Sequence, residues 1–250
     1  MNNNLFILIA IGVGVMLLLA TAVVLFVLHY QKKIALINKR KVKELTEAAI
    51  KAEEEERGRI AGELHDDVGA MLASVKLNVH QAEEDGQGSE AFQQSHRLIE
   101  DTIDRVRKMS RSLQPAMLQH LGLVKALRSF FDMFATSSAI AMHYDATPLP
   151  EMDENKALGI YRIVQELVNN TLKHAHAKDI WLQHEAAANT LTFRFTHNGQ
   201  GITEERFQEY TYKKDATGLK NIVNRLKVLN GSIHFEQNDN LYITIIKIPL

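Results

Sequence analysis

Charged residues are absent from one long stretch near the start of the chain, "LFILIAIGVGVMLLLATAVVLFVL", positions 5–28. As a helix it reaches roughly 36 Å at 1.5 Å per residue, enough to cross a hydrocarbon core of about 30 Å with some tilt. Beyond it the pattern changes to amphipathic. From Gln31 to about Glu84 there is no proline or turn cluster. Apolar residues recur at three- and four-residue steps: Leu45, Ala49 and Ala52, then Ile60, Leu64, Met71, Val75 and Val79. That spacing predicts one long helix whose stripe is weakest in the charged run "EEEER". With Ile60, Leu64, Val68 and Met71 on the buried face, His65 is expected to be exposed. The membrane-proximal part reads as a helical spacer or a coiled coil. "EDGQGSE", positions 84–90, predicts a turn, and Phe92, Ile99, Ile103, Val106 and Leu113 form the stripe of a second helix ended by Pro115. Two helices with one apolar stripe each make a hairpin, and pairing two hairpins in a four-helix bundle buries those stripes. This segment predicts a homodimer.

After Pro115 helices and strands alternate. "MLQHLGLVKALRSFFDMFATSSA" predicts a helix, "IAMHYDA" a strand, and "TPLPEMDENK" a loop. In "ENKALGIYRIVQELVNNTLKHAHA", Ile160, Ile163, Val164, Leu167, Val168 and Leu172 share one helical face. Strand-like runs come later at "DIWLQHEAA", "TLTFRFTHNG" and "SIHFEQNDNLYITIIKIPL", the last with a hairpin at "NDN". Between them lies the helix "GLKNIVNRLKVLNG", closed by Asn230-Gly231. Hairpin-linked strands interleaved with helices predict an α+β sandwich, a mixed sheet with helices on one face.

Charge and composition narrow the function. The formal net charge of −1 does not suit a general nucleic-acid binder, and the absence of cysteine excludes disulfides, thiol nucleophiles and Cys-type zinc sites. The basic residues Lys32, Lys33, Lys39, Arg40, Lys41 and Lys43 come after the apolar run, whereas a signal peptide carries them before a shorter one. The positive-inside rule then predicts a short outer N-terminus, too short for an extracytoplasmic sensing domain, and a cytoplasmic remainder.

Four places carry candidate chemistry. In "ELHDDVG" His65 is followed by Asp66 and Asp67. A neutral imidazole is a good nucleophile toward phosphorus, and a carboxylate can take the proton from its other nitrogen. Taken alone, the same letters are better read as a solvated charged helix face. In "QELVNNTLKHAHA" Glu166 and Asn170 are four apart on one helical face, and their oxygens suit magnesium shared with a nucleotide's phosphates. Lys173 and His174 add positive or donor character there. His174 and His176, two apart, do not converge on a metal. "THNGQGI" places Gly199 and Gly201 just after a strand, where the backbone can approach a ligand. "ATGLKNIVNR" places Gly218 at a helix start whose amides could face phosphate.

Taken in order, these segments resemble two-component sensor histidine kinases, in particular the subfamily related to the nitrate/nitrite sensors, with a HisKA_3-type dimerisation domain and a HATPase_c (Bergerat) ATP-binding domain. "ERGRIAGELHDDVG" is similar to the phosphoacceptor box, "SRSLQPAMLQHLGLVKAL" to the link into the catalytic domain, "YRIVQELVNNTLKHA" to the N box, "HNGQG" to the G1 box and "TGLKNIVNRL" to the G2 box. The resemblance implies a transmembrane helix, an all-α dimeric four-helix bundle and a Bergerat-type α+β ATPase sandwich. The implied layout is residues 1–4 outside the membrane, 5–28 spanning it, 29–55 a linker, 56–116 the dimerisation and phosphotransfer domain and 117–250 the catalytic domain. It implies His65 as phosphoacceptor and Asp66 as general base. Asn170 is implied to hold magnesium, with Glu166 assisting through water. Lys173, His174, His197, Gly199, Gly201, Gly218 and Leu219 complete the nucleotide site. ATP and magnesium are the implied cofactors. The implied partners are a second copy, the membrane and a cytoplasmic response regulator with a receiver aspartate, with no direct contact to nucleic acid. The location implied is a bacterial inner membrane, crossed once.

Three departures qualify the resemblance. His197 stands where the G1 box normally has an adenine-binding aspartate. Neutral imidazole can accept a hydrogen bond but imidazolium cannot, so weaker and more pH-sensitive ATP binding is expected. Ala70 stands four residues beyond Asp66, where the subfamily commonly has a glutamine that orients water; weak phosphatase activity is expected. Ala216 replaces a usual glycine in a short lid. His197 and Ala216 also suit a competing reading, an impaired pseudokinase that relays signals by contact.

Overall fold

The computed structural model describes residues 2–82, 90–113, 116–135, 140–212 and 217–250. The elements are α1 (Asn2–Glu63), a π-helical turn (Leu64–Val68), α2 (Gly69–Ala82), α3 (Glu90–Leu113), α4 (Ala116–Ala135), β1 (Ala141–Asp145), α5 (Glu154–His174), β2 (Asp179–Ala187), β3 (Thr190–His197), α6 (Glu204–Tyr212), α7 (Thr217–Val228), β4 (Ser232–Asn238) and β5 (Leu241–Pro249). The chain divides into two units, Met1–Ala48 and Ala49–Leu250.

The first unit is helix. Its side chains from Met16 to Leu28 are exposed and almost wholly apolar, and among the described residues this is the one helix long and apolar enough to cross a membrane.

The second unit begins with the hairpin. The end of α1, the π turn and α2 run antiparallel to α3, and Ser110 Oγ on α3 donates to the Ala61 carbonyl at 3.1 Å. The sequence places Val68, Met71 and Val75 on a buried face, but in the single chain they are 37%, 67% and 46% exposed. A single chain leaves open the face that pairing of two hairpins is expected to cover. The Gly69 N–H bonds to the Leu64 carbonyl, a five-residue step that adds a residue to the turn and rotates α2 about its axis. Leu72, Lys76 and Val79 are partly buried on α2, as are Ile99, Ile103 and Val106 on α3. The expected turn at 84–90 lies almost wholly outside the described residues, as does Pro115.

The expected helix from Met117 is α4, broken at Gly122. Its φ of +78° and ψ of 174° interrupt the helix in a region that L-residues avoid. Leu123, Leu127, Phe130 and Phe131 enter the core, where Phe130 meets Tyr161 edge-on at 5.7 Å.

The sheet runs β1-β2-β3-β5-β4, with β1 parallel to β2 and the other pairs antiparallel. This is the mixed α+β sheet expected. Period-two burial picks out one face, with Ile180 and Leu182 on β2, Leu191, Phe193 and Phe195 on β3, and Ile246 and Ile248 on β5. The predicted stripe of α5 packs there: Ile160, Ile163, Val164, Leu167 and Val168 are buried and Leu172 partly so. Asp153 caps α5, its Oδ1 accepting from Asn155 N–H at 2.9 Å and Lys156 N–H at 3.2 Å, a feature worth about 1 kcal/mol. At the end of α7, Asn230 at φ 52° turns the chain so that the Gly231 N–H reaches the Leu226 carbonyl at 2.8 Å. One element was not expected: α6 occupies most of the short lid, and its Phe207 packs on Phe235 at 4.6 Å. Ala216 lies outside the described residues.

Candidate active site

The C-terminal half of α5 and the first turn of α7 meet at Gly218. A Cβ there would stand 2.0 Å from Glu166 Oε1 and 3.4 Å from Asn170 Nδ2, so the glycine lets α7 start against these two side chains as they stand. Asn170 Nδ2 is buried without a hydrogen-bond partner. A buried unpaired amide costs about 1–3 kcal/mol, and such groups in native folds mark a strained or functional position. Glu166 and Asn170, one helical turn apart, bring carboxylate and amide oxygens to one place, because the amide's two ends exchange by a simple flip. That donor set fits magnesium, a hard cation that keeps several waters and takes its remaining ligands from phosphates. Lys173 and His174 lie exposed in the last turn of α5, on the same helix as that pair. Leu219 turns its side chain into the core.

The loop after β3 is held by groups that the sequence did not single out. Asn198 Oδ1 accepts from the N–H groups of Lys178 and Asp179 at 2.8 and 3.0 Å, and its Nδ2 donates to Asp179 Oδ2 at 2.7 Å. The Gln200 N–H donates to the Ala175 carbonyl at 2.7 Å. The loop is thereby pinned to the end of α5, so closely that a Cβ at Gly199 would lie 2.2 Å from the Ala175 oxygen. Gly201 sits on the ring of Tyr242. Asn198 could have been suspected from "HNGQG", since Asn side chains often mimic backbone groups in turns. Tyr242 carries no signal of its own in the sequence.

His197 ends β3 on the core-facing side, only 7% exposed. Its ring stacks on Tyr242, its partner in the β3–β5 register, at 5.8 Å and 14°. Its Nδ1 is buried and unpartnered. Burial pushes the imidazole down to about 4. It is therefore neutral throughout pH 6–8, and the pH-sensitive binding expected from the sequence does not follow in that range.

His65 and Asp66 lie apart from these groups, in the π turn of the hairpin. Both are exposed, and among the described residues neither makes a hydrogen bond or ion pair. Ala70, also exposed, comes one turn later. The structure thus gathers Glu166, Asn170 and Gly218 in one cleft, and His197, Gly199 and Gly201 around the loop after β3, while His65 waits on a separate helical element.

Comparison with known proteins matches both regions. Residues 56–118 fit the family model described as "Histidine kinase", and residues 155–250 fit "Histidine kinase-, DNA gyrase B-, and HSP90-like ATPase". The signal transduction histidine-protein kinase/phosphatase DegS of Brevibacillus brevis is 28% identical over 210 residues, covering 80% of this chain and 53% of DegS. The oxygen sensor histidine kinase NreB of Staphylococcus carnosus is 26% identical over 213 residues, covering 83% of this chain and 60% of NreB. Sensor histidine kinase ComP of Bacillus subtilis is 27% identical over 206 residues, covering 75% of this chain but only 25% of ComP. The chain thus spans at most about three-fifths of the length of these curated relatives. With more than half of its residues in the two matched regions, a histidine-bearing hairpin followed by a Bergerat-type ATPase sandwich, the chain belongs to the HisKA_3-type sensor histidine kinases.

Proposed function

We propose that this chain is a membrane-anchored sensor kinase that transfers the terminal phosphoryl group of ATP to His65 and then to an aspartate of a response regulator. The observation that supports this best is the buried, unpartnered amide of Asn170 beside Glu166 under the first turn of α7. An orphaned polar atom next to a carboxylate and a helix N-terminus is what a nucleotide site needs before its ligand arrives.

In the first transfer one ring nitrogen of His65 attacks the γ-phosphorus while the bond from phosphorus to the β,γ-bridging oxygen breaks and ADP leaves. Asp66 takes the proton from the other ring nitrogen, which keeps the phosphorylated imidazole from carrying an extra positive charge. The protein's share is mostly positioning and charge stabilisation. Glu166 and Asn170 would hold magnesium, which neutralises charge on the phosphates when bound. The amides at the start of α7, with Gly199 and Gly201, let the backbone approach the nucleotide; Lys173 and His174 supply donors toward the phosphates. His197, neutral, accepts from the adenine amino group through an imidazole nitrogen once the loop admits the base. Ala70 offers no polar atom to hold a water, so the same chain dephosphorylates its regulator only weakly.

The exposed Val68, Met71 and Val75 face of the hairpin supports a homodimer, because pairing two hairpins removes it from water. The apolar part of α1 and the basic residues after it support a single inner-membrane span with the catalytic part in a bacterial cytoplasm. The test of the nucleotide site is equilibrium binding of a fluorescent ATP analogue with and without magnesium. Asn170→Ala is expected to abolish the magnesium-dependent gain in affinity while binding without the metal changes little. Equal magnesium dependence in wild type and variant would remove Asn170 from the metal site.

A further inference from the structure

Charge is shared unevenly along the chain. Of its 29 basic and 30 acidic residues, six basic and no acidic ones fall in positions 1–43, which leaves residues 44–250 with seven more acids than bases. The six are Lys32, Lys33, Lys39, Arg40, Lys41 and Lys43, all exposed on α1 just past its apolar run.

Two parts of the same helix treat their cations differently. Past Glu44, each basic residue of α1 has an acid about one turn away: Lys51 has Glu55, Arg57 has Glu53, and Arg59 has Glu56 and Glu63. Before Glu44, among the described residues, only Lys43 makes an ion pair, with Glu47 at 3.7 Å. The cations are also one-sided. At 3.6 residues per turn Lys32, Lys39 and Lys43 fall within about 40° of one another, with Lys33 and Arg40 beside them and Lys41 on the other side. Lys39 and Lys43 stand four residues apart, a like-charge spacing that destabilises a helix. A counter-charge from outside the chain removes that cost.

The place of the stripe identifies the counter-charge. At 1.5 Å per residue Lys32 stands about 6 Å, and Lys43 about 22 Å, beyond Leu28 at the end of the apolar run. Helical side chains lean toward the N-terminus, which here is toward the membrane. A headgroup layer is about 5–7 Å deep on each side of a bilayer, and the field of acidic lipids carries on for a Debye length of about 8 Å. Lys32 and Lys33 therefore stand among headgroups, and the long side chains of Lys39 and Arg40 reach back into the surface potential. Tyr30, exposed and stacked on Phe26 at 6.2 Å, is an amphipathic ring at the level where such rings fix the depth of a span. The acidic remainder of the chain is repelled by an acidic surface, so the attraction is confined to this stretch. Nucleic acid would meet the same charges, but the headgroup layer is held beside them by the span and so has the higher effective concentration.

We propose that the basic side of α1 over residues 32–43 is a binding surface for acidic phospholipid headgroups, which it gathers beside the span in preference to zwitterionic ones. Orientation needs only an excess of positive charge near a span. A one-sided stripe kept clear of acid partners goes further and selects lipid by charge. The inference rests on the membrane-anchored reading above.

The chain has no cysteine, so Leu36→Cys, one turn beyond Lys32 on the basic side, carries a single donor dye. The labelled full chain is reconstituted in phosphatidylcholine vesicles holding a trace of acceptor lipid. The acceptor is phosphatidylglycerol or phosphatidylcholine with the same dye on an acyl chain. At about 50 mM salt, energy transfer to the phosphatidylglycerol is expected to be at least twofold that to the phosphatidylcholine, and at about 500 mM salt the two should converge. With Lys39→Gln, Arg40→Gln and Lys43→Gln combined, which keeps Lys32 and Lys33 beside the span, the excess should fall by half or more. Lys41→Gln alone, on the other side, should change it little. Equal transfer to both lipids at low salt overturns the proposal. So does an excess that survives high salt, one that the triple variant keeps in full, or one that Lys41→Gln reduces as far as the triple variant does. Labelled duplex DNA that binds the vesicle-held chain at physiological salt, and not the triple variant, assigns the face to nucleic acid and overturns the proposal as well. A chain that does not float with the vesicles after a carbonate wash sinks the membrane-anchored reading itself, a result read before any transfer is measured.

Discussion

Replacing His197 with asparagine removes one titrating group from the core while keeping a small polar side chain at the end of β3. Burial holds His197 at about 4, against an ordinary value near 6.5. The unfolded chain therefore binds more protons than the folded one at acid pH. Stability from this group is fully present above about pH 6.5 and is lost as pH falls toward 4. The full shift corresponds to about 3 kcal/mol at about 1.36 kcal/mol per pH unit, and the fall from pH 7 to pH 5 accounts for about 2 kcal/mol of it. His197→Asn should lack that loss. The assay is urea unfolding of the full chain in detergent at a series of pH values, monitored by Trp181, the chain's single tryptophan, which sits on β2 in the same sheet. Burial also lowers His184, but it is common to both proteins and cancels in the difference. The gap between wild type and variant should change by about 2 kcal/mol between pH 7 and pH 5. Parallel pH profiles would refute the argument, as would a wild-type ATP affinity that changes between pH 8 and pH 6 while that of His197→Asn does not.

The same geometry sets two further outcomes. Gly199→Ala puts a methyl 2.2 Å from the Ala175 oxygen, so it should destabilise the loop by about 1–3 kcal/mol and weaken nucleotide binding, measured as a lowered midpoint and a raised Kd. Ala70→Gln restores a water-holding side chain one turn beyond Asp66. It should raise release of phosphate from a phosphorylated partner regulator severalfold, with His65 labelling little changed; wild-type dephosphorylation as fast as the variant's would remove Ala70 from that role.

Much of the architecture was legible because periodicity and burial agree. The stripe of α5 and the alternation in β2, β3 and β5 are direct consequences of packing helices on one sheet face, so the strands fell where the pattern put them. The hairpin was less faithful. Its stripe reads as a regular helix, and the π turn at Leu64–Val68 rotates everything after it, a change no residue type announces. The lid helix α6 was missed because nine polar and aromatic residues carry little apolar period. In the cleft, Glu166 and Asn170 share a motif and a helix face, which is why they were found together, while Gly218 was found separately as a helix start. Tyr242 meets His197 and Gly201 from far along the chain, and only the fold brings them into contact. The pH behaviour of His197 was misjudged for a related reason: the letter gives the group, but burial sets its charge.

The most direct test of the account is phosphoryl transfer to one side chain. The full chain, incubated with γ-labelled ATP and magnesium beside His65→Gln, should take up acid-labile, alkali-stable label in the wild type and none in the variant. Label that persists in His65→Gln, or a wild type that binds ATP but never labels, would contradict it.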